Sequence, residues 1–226
     1  MVSTVGKSTF FEENNMINDY CGNNKVELIG VYGGDESHAL SAWTSTSRDL
    51  TEEKRNRMGK LLRDLAQNGH ETPFEKSSLH FLVTSDIGSH IHLIKHRIGV
   101  SVNAESARYK ELKDDKYYVP VDWDDEERER YVLFVESALQ QYHQTLERLV
   151  SKGVSRKRAK ESARFYLPYG NQITADVMFN FRSFVHFQRL RNSVHAQVEI
   201  RNIAEKMLQL VRDTRNFDMS ISAFDL

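Results

Sequence analysis

The sequence predicts an α+β protein: a single helix-rich domain with a small β-sheet packed against helices. Several windows repeat apolar residues at spacings of three and four, as amphipathic helices do. Short runs rich in β-branched and aromatic residues stand between them, as strands do. With three prolines and no Ser/Gly tract among 226 residues, nothing reads as a flexible linker. The expected domain covers 1–226, with a core over about 26–212 and peripheral segments at 1–24 and 213–226. Asp213, Asp218 and Asp225 read as solvated chain in that last segment.

Val26 to Tyr32 is strand-like and ends at the turn signal Gly33-Gly34-Asp35. Leu50 to Gln67 reads as a helix capped by Thr51, with Met58, Leu61, Leu62 and Leu65 as its apolar face and Asn68-Gly69 as its stop. Leu79 to Thr84 is a strand candidate, and Asp86 can cap a helix whose expected buried side is Ile87, Ile91 and Ile94. Helices follow over 126–152, 156–165, 179–191 and 194–212. The acidic run Asp122 to Glu127 suits a helix start, where carboxylates complement the macrodipole.

Charge narrows the function. Thirty-one Lys+Arg against 32 Asp+Glu give a net charge of −1, so any basic surface must be local. The local excess lies at Lys152, Arg156, Lys157, Arg158, Lys160 and Arg164, opposed by Glu161. The longest apolar runs are too short to span a bilayer and the N-terminus has no apolar leader, so a soluble cytoplasmic chain is expected. The single cysteine, Cys21, sits in a Tyr-Cys-Gly-Asn-Asn turn and reads as incidental.

No dinucleotide fingerprint, phosphate-binding Walker loop, zinc-protease pair or serine-hydrolase elbow occurs. His90, His92 and His96 invite a metal, but only His92 and His96 share a helix face, and Lys95 and Arg97 beside them would repel a dication, so no metal is expected. Those cations suit an anion or an electron-rich ring. From Lys95-His96-Arg97 the chain breaks at Gly99 into a stretch of small and polar residues, where backbone N–H groups, hydroxyls and the fork of Arg108 could approach a phosphate.

This segment resembles the signature of the flavin-dependent thymidylate synthases, Arg-His-Arg followed after seven residues by Ser. Four further stretches resemble that family in order: His70-Glu71-Thr72-Pro73-Phe74-Glu75; Ser162-Ala163-Arg164 with Leu167-Pro168; Asn180-Phe181-Arg182-Ser183; and Leu190-Arg191 with His195-Ala196-Gln197-Val198-Glu199-Ile200. The resemblance implies reductive methylation of dUMP to dTMP, with methylenetetrahydrofolate as carbon donor, FAD as cofactor and NADPH as reductant. It also implies a homotetramer with shared active sites, and a mechanism without an enzyme nucleophile, which agrees with the lack of a catalytic cysteine.

By that resemblance the FAD positions fall on Thr72, Lys95, His96, Arg97, Asn180, Phe181, Arg182 and His186. The dUMP positions fall on His92 to Lys95, on Ala104, Glu105, Ser106, Ala107 and Arg108, and on Arg164 and Arg191. Arg108, Arg164 and Ser106 suit a phosphate dianion. Arg191 is the expected activating residue, stabilising negative charge that develops at N3–C4 of the pyrimidine. Ser106 reads as an orienting, electrophilic group.

Five departures stand out, one being Glu105, which lies one place later than the acidic residue often found after the Asn and so weighs against Ala104 as a contact. Lys95 replaces the first Arg of the signature, turning a planar fork into a point charge. Eight residues, Ile98 to Glu105, separate Arg97 from Ser106 where the pattern has seven, and the extra residue falls among Ile98, Gly99 and Val100. His92 stands where Gln is common, and His186 where Asn is; both bring titration near neutral pH. Two other readings keep their own signatures: a flavin- and nucleotide-binding homologue without synthase activity, and a nucleic-acid-binding module using Arg156 to Arg164 with Phe165, Tyr166 and Tyr169.

Overall fold

The computed structural model describes residues 24–106, 108–111 and 115–226. These fall into two compact units. A sheet unit comprises Val26–Thr84, Ser89–Ala104 and Thr174–Leu226, and a helical unit comprises Glu105–Ile173 with Ser85–Gly88 and the start of the described chain. The order of elements is β1 (Lys25–Tyr32), α1 (Asp35–Trp43), α2 (Glu52–Gln67), β2 (Ser78–Asp86), α3 (Ile87–Ile94), β3 (Val100–Ala104), α4 (Asp125–Ser151), α5 (Arg156–Ala163), β4 (Gln172–Phe179), α6 (Phe181–Arg191), α7 (Val198–Asp213) and α8 (Asp218–Ala223). Single 3-10 turns occupy Thr72–Glu75 and Arg164–Tyr166. The α+β expectation therefore holds. Among the described residues no helix is long and apolar enough to cross a membrane.

The strands form one four-stranded sheet in the order β1-β2-β4-β3. β3 runs antiparallel to β4 with Val100 opposite Phe179 and Asn103 opposite Asp176. Period-two alternation in β2 buries Leu79, Phe81 and Val83 on one face. The other face carries a cross-strand pair, His80 Nε2 and Asp176 Oδ1 at 2.6 Å.

Seven phenylalanines of the sheet unit (74, 81, 179, 181, 184, 187 and 217) are fully buried. Each contributes on the order of 2–3 kcal/mol through burial. Phe181 and Phe217 stack with centroids 5.2 Å apart. α7 adds Ile200, Ile203, Ala204, Met207, Leu208 and Val211, a stripe at helical spacing. In the helical unit α4 buries Val135, Leu139, Tyr142 and Leu146, the last two against Ala159 and Ala163 of α5.

Several expectations need correction. α3 buries Ser89 and Leu93, whereas Ile94 is 41% exposed, because the packing partner selects a face about one residue away from the all-isoleucine stripe. The window 179–191 spans the end of β4 as well as α6; Asn180 marks the boundary, its Oδ1 accepting the Ser183 N–H at 2.8 Å. The tail is not peripheral. Its acidic groups are solvated, but Phe217, Ile221 and Phe224 enter the core.

A buried polar chain ties that tail to α1. Asp35 accepts the backbone N–H groups of Met219 and Ser220, each at 2.8 Å, and the Ser220 hydroxyl at 2.5 Å. Since Ser220 donates its only hydroxyl proton to Asp35, it accepts from His38 Nδ1 at 2.9 Å; His38 Nε2 then accepts from the Ser77 hydroxyl at 2.8 Å. Burial holds Asp35 above its ordinary carboxyl range and pushes His38 down to about 4.

Candidate functional site

In the sheet unit, segments far apart in sequence meet around the N-terminus of α6. The 3-10 turn Thr72–Glu75 begins with exposed Thr72 and anchors itself through buried Phe74. Arg182, in the first turn of α6, donates from Nε to Glu71 Oε2 at 2.8 Å and from Nη1 to Glu75 Oε1 at 2.7 Å. These carboxylates, Glu75 before Glu71, raise the Arg182 pKa above its ordinary value. The upstream His-x-x-Pro-Phe-Glu stretch and the Asn180-Phe181-Arg182 stretch thus share one ion-paired surface.

The Lys95–Arg97 segment joins them through the turn that follows it. Asn180 N–H donates to Gly99 O at 3.1 Å, and Ser183 Oγ donates to Ile98 O at 2.6 Å. Gly99 has φ 65°, where side chains are disfavoured, and a Cβ there would overlap Ser183 Oγ and Asn180 Nδ2. The extra residue expected at Ile98–Val100 lies in or beside this turn, where Ile98 is 90% exposed and the strand register beyond is undisturbed.

Lys95 and Arg97 are exposed, and His96 between them is buried. Arg191, at the end of α6, donates from Nε to His96 Nε2 at 3.0 Å. His96 also meets Phe187 and His186 edge to face, with centroids at 5.0 and 5.8 Å. Burial first, then the positive charges of Arg191, His186 and His92, push His96 down to about 4. Asn180 is half-buried and His186 exposed. Phe181 belongs to the core, so only its backbone remains for a ligand.

The helical unit carries the other set. Glu105 pairs with Lys110 at 2.8 Å. Ser106 Oγ accepts the Arg108 N–H at 3.2 Å, while its carbonyl accepts the N–H groups of Tyr109 and Lys110. That is the orienting use of a hydroxyl, closing a turn. Arg108 Nε donates to Glu161 Oε1 at 2.5 Å, and Lys160 Nζ donates to Tyr109 O at 2.7 Å, so the turn is held against α5. Arg164 is exposed just beyond α5. Ala107 and Cys21 lie outside the described residues.

Two cations of the basic excess are ion-paired within this unit. Arg156 bonds Glu111 and Glu147, and Arg158 lies 3.5 Å from Glu161. Among the described residues no group of three or more His, Cys, Asp or Glu could hold a metal ion. Sequence reasoning named Glu71 within the upstream stretch and Glu161 beside the basic run but missed their pairing with Arg182 and Arg108, because a long-range ion pair leaves no period in the sequence.

Comparisons with known proteins identify the family. The family model described as "Thymidylate synthase complementing protein" matches residues 27–214. A flavin-dependent thymidylate synthase of Kosmotoga olearia is 31% identical over 195 residues, covering 79% of this chain and 81% of the relative. Another, from Clostridium tetani, is 34% identical over 177 residues, covering 74% and 70%. The crystal structure of a UMP/dUMP methylase, PolB from Streptomyces cacaoi, bound with 5-Br dUMP, superposes with a TM-score of 0.75 at 27% identity, covering 90% of this chain and 95% of that one.

Proposed function

Because the chain belongs to the flavin-dependent thymidylate synthase family, we propose that it makes dTMP from dUMP with the residues placed above. Its activity is the family's: FAD-dependent methyl transfer to a uridylate, with NADPH and methylenetetrahydrofolate as co-substrates. One observation supports the residue assignments most. Three signature stretches, separated by up to 111 positions, meet at the N-terminus of α6 through Arg182–Glu71, Arg182–Glu75 and Asn180–Gly99 contacts.

The residues present fit a flavin dinucleotide. Lys95 and Arg97 supply exposed cations for a diphosphate, Arg182 adds a third that is held between Glu71 and Glu75, and the α6 N-terminus adds a favourable dipole. Thr72, His96, Asn180, the Phe181 backbone and His186 complete the proposed FAD set. Bound FAD supplies reversible two-electron chemistry between NADPH and the nucleotide.

On the nucleotide side, Arg108 and Arg164 neutralise the phosphate dianion, and the Ser106 turn positions it, with Glu105 and Ala107 flanking. By the family resemblance, His92 and Lys95 also belong to the proposed dUMP set. Arg191 stabilises negative charge at N3–C4 of the pyrimidine, raising nucleophilicity at C5. Homotetramer assembly, folate binding and a cytoplasmic setting accompany this reading.

The test is an anaerobic assay of purified protein with FAD, NADPH and methylenetetrahydrofolate, offering dUMP and UMP separately. Formation of dTMP with release of the C5 proton is expected. A protein that retains flavin yet methylates neither nucleotide is the inactive homologue, and one that binds no flavin refutes the assignments.

A further inference from the structure

Arg191 and His96 are 95 positions apart and share one hydrogen bond, Nε to Nε2 at 3.0 Å. A guanidinium only donates, so the imidazole must accept through Nε2 and carry its proton on Nδ1. We propose that His96 is a positioning residue that aims Arg191: by engaging Nε it fixes the guanidinium plane and leaves both Nη groups to meet the pyrimidine. This rests on the activating role proposed for Arg191 and adds to it the residue through which its orientation is set.

The surroundings support a fixed geometry. His96 is 8% exposed, and Phe187 meets it edge to face. Its backbone N–H donates to Leu93 O at 3.2 Å, tying it to the end of α3. A ring so held has few rotamers left, so the acceptor nitrogen stays where Arg191 needs it.

The charges facing His96 act in the same direction. Arg191 and His186 approach from α6 and His92 from α3, and each disfavours an added proton on the ring. Two of these neighbours, His92 and His186, are among the expected departures from the family pattern. Protonating His96 would set an N–H against the Arg191 N–H and turn the guanidinium away. The site therefore has an acid limit set by the His96 ring.

The experiment compares wild type with His96→Gln and His96→Phe in the FAD-loaded full-length protein. The Gln amide oxygen can reach the position of Nε2; Phe keeps the ring packing and removes the acceptor. Loss of kcat by roughly a hundredfold in His96→Phe, with FAD retained, and recovery to within about tenfold of wild type in His96→Gln are expected. The acid limb of the wild-type kcat profile should vanish in His96→Gln.

A readout independent of turnover is the nitrogen NMR signature of His96, expected as the Nδ1–H tautomer in wild type and as a tautomer mixture in Arg191→Lys. Wild-type kcat in His96→Phe overturns the proposal. So does equal inactivation of both variants with loss of flavin, which would make His96 a flavin ligand only. If wild type itself makes no product, the synthase reading fails, and the tautomer measurement still decides whether His96 holds Arg191.

Discussion

Arg108 donates to Glu161 at 2.5 Å, so a guanidinium proposed for a nucleotide phosphate already faces a carboxylate. The pair raises the Arg108 pKa and lowers that of Glu161. Glu161 thus presents its carboxylate oxygens where phosphate oxygens would otherwise be received, and the two anions compete for one cation.

Removing that competitor should help the substrate. Glu161→Gln is expected to lower the KM for dUMP by roughly two- to fivefold, the scale of an exposed ion pair, with kcat little changed. Steady-state assays at low ionic strength check this. A raised KM would show that Glu161 orders Arg108 for the phosphate instead of opposing it.

Arg191→Ala should abolish turnover while leaving FAD bound. Preorganised charge stabilisation of this kind contributes on the order of a hundred- to a thousandfold in rate. Visible absorption after desalting, with the C5 proton-release assay, separates the two effects. Surviving turnover would remove Arg191 from the activating role.

Gly99→Ala tests the turn beside the signature. A Cβ would overlap Asn180 and Ser183, and φ 65° adds strain of its own. Destabilisation of about 2 kcal/mol or more is expected, with weaker FAD affinity because the same turn supports the α6 N-terminus. Urea midpoints and flavin titration measure both; an unchanged midpoint would show that the turn relaxes freely.

Stability should fall with acid through His38. Its folded pKa is about 4, below the ordinary 6.5, so the unfolded chain binds a proton first as pH drops. The contribution is intact above pH 6.5 and is lost progressively toward pH 4, by up to about 1.4 kcal/mol per unit. His96, also near 4, adds in the same direction. Unfolding midpoints at pH 7 and 5 should show the loss, and His38→Gln should give a shallower slope. Equal slopes would mean that His38 titrates normally in the fold.

Much of this molecule is legible in its sequence because the governing physics is local. Thr51, Asp124 and Ser155 each accept a backbone N–H at a helix start, as side-chain oxygens at such positions do. The apolar stripes of α4 and α7 repeat at helical spacing. The signature stretches could be found because each is contiguous. β3 was hidden because Val100 to Ala104 is short and polar on alternate sides, and its identity as a strand depends on the partner strand β4.

Residue order alone thus established the helices α2 to α7, the family resemblance and the chemical types at the proposed site, but not α1 or α8. Tertiary structure decided which groups meet. It set Arg191 against His96, Arg182 between Glu71 and Glu75, and Arg108 against Glu161. It also drew a tail that looked solvated into the core through Phe217, Ile221 and Phe224. Caps and periodicity involve neighbours within a few residues, whereas these pairings join groups 53 to 111 positions apart, and only the packed core brings such groups into contact.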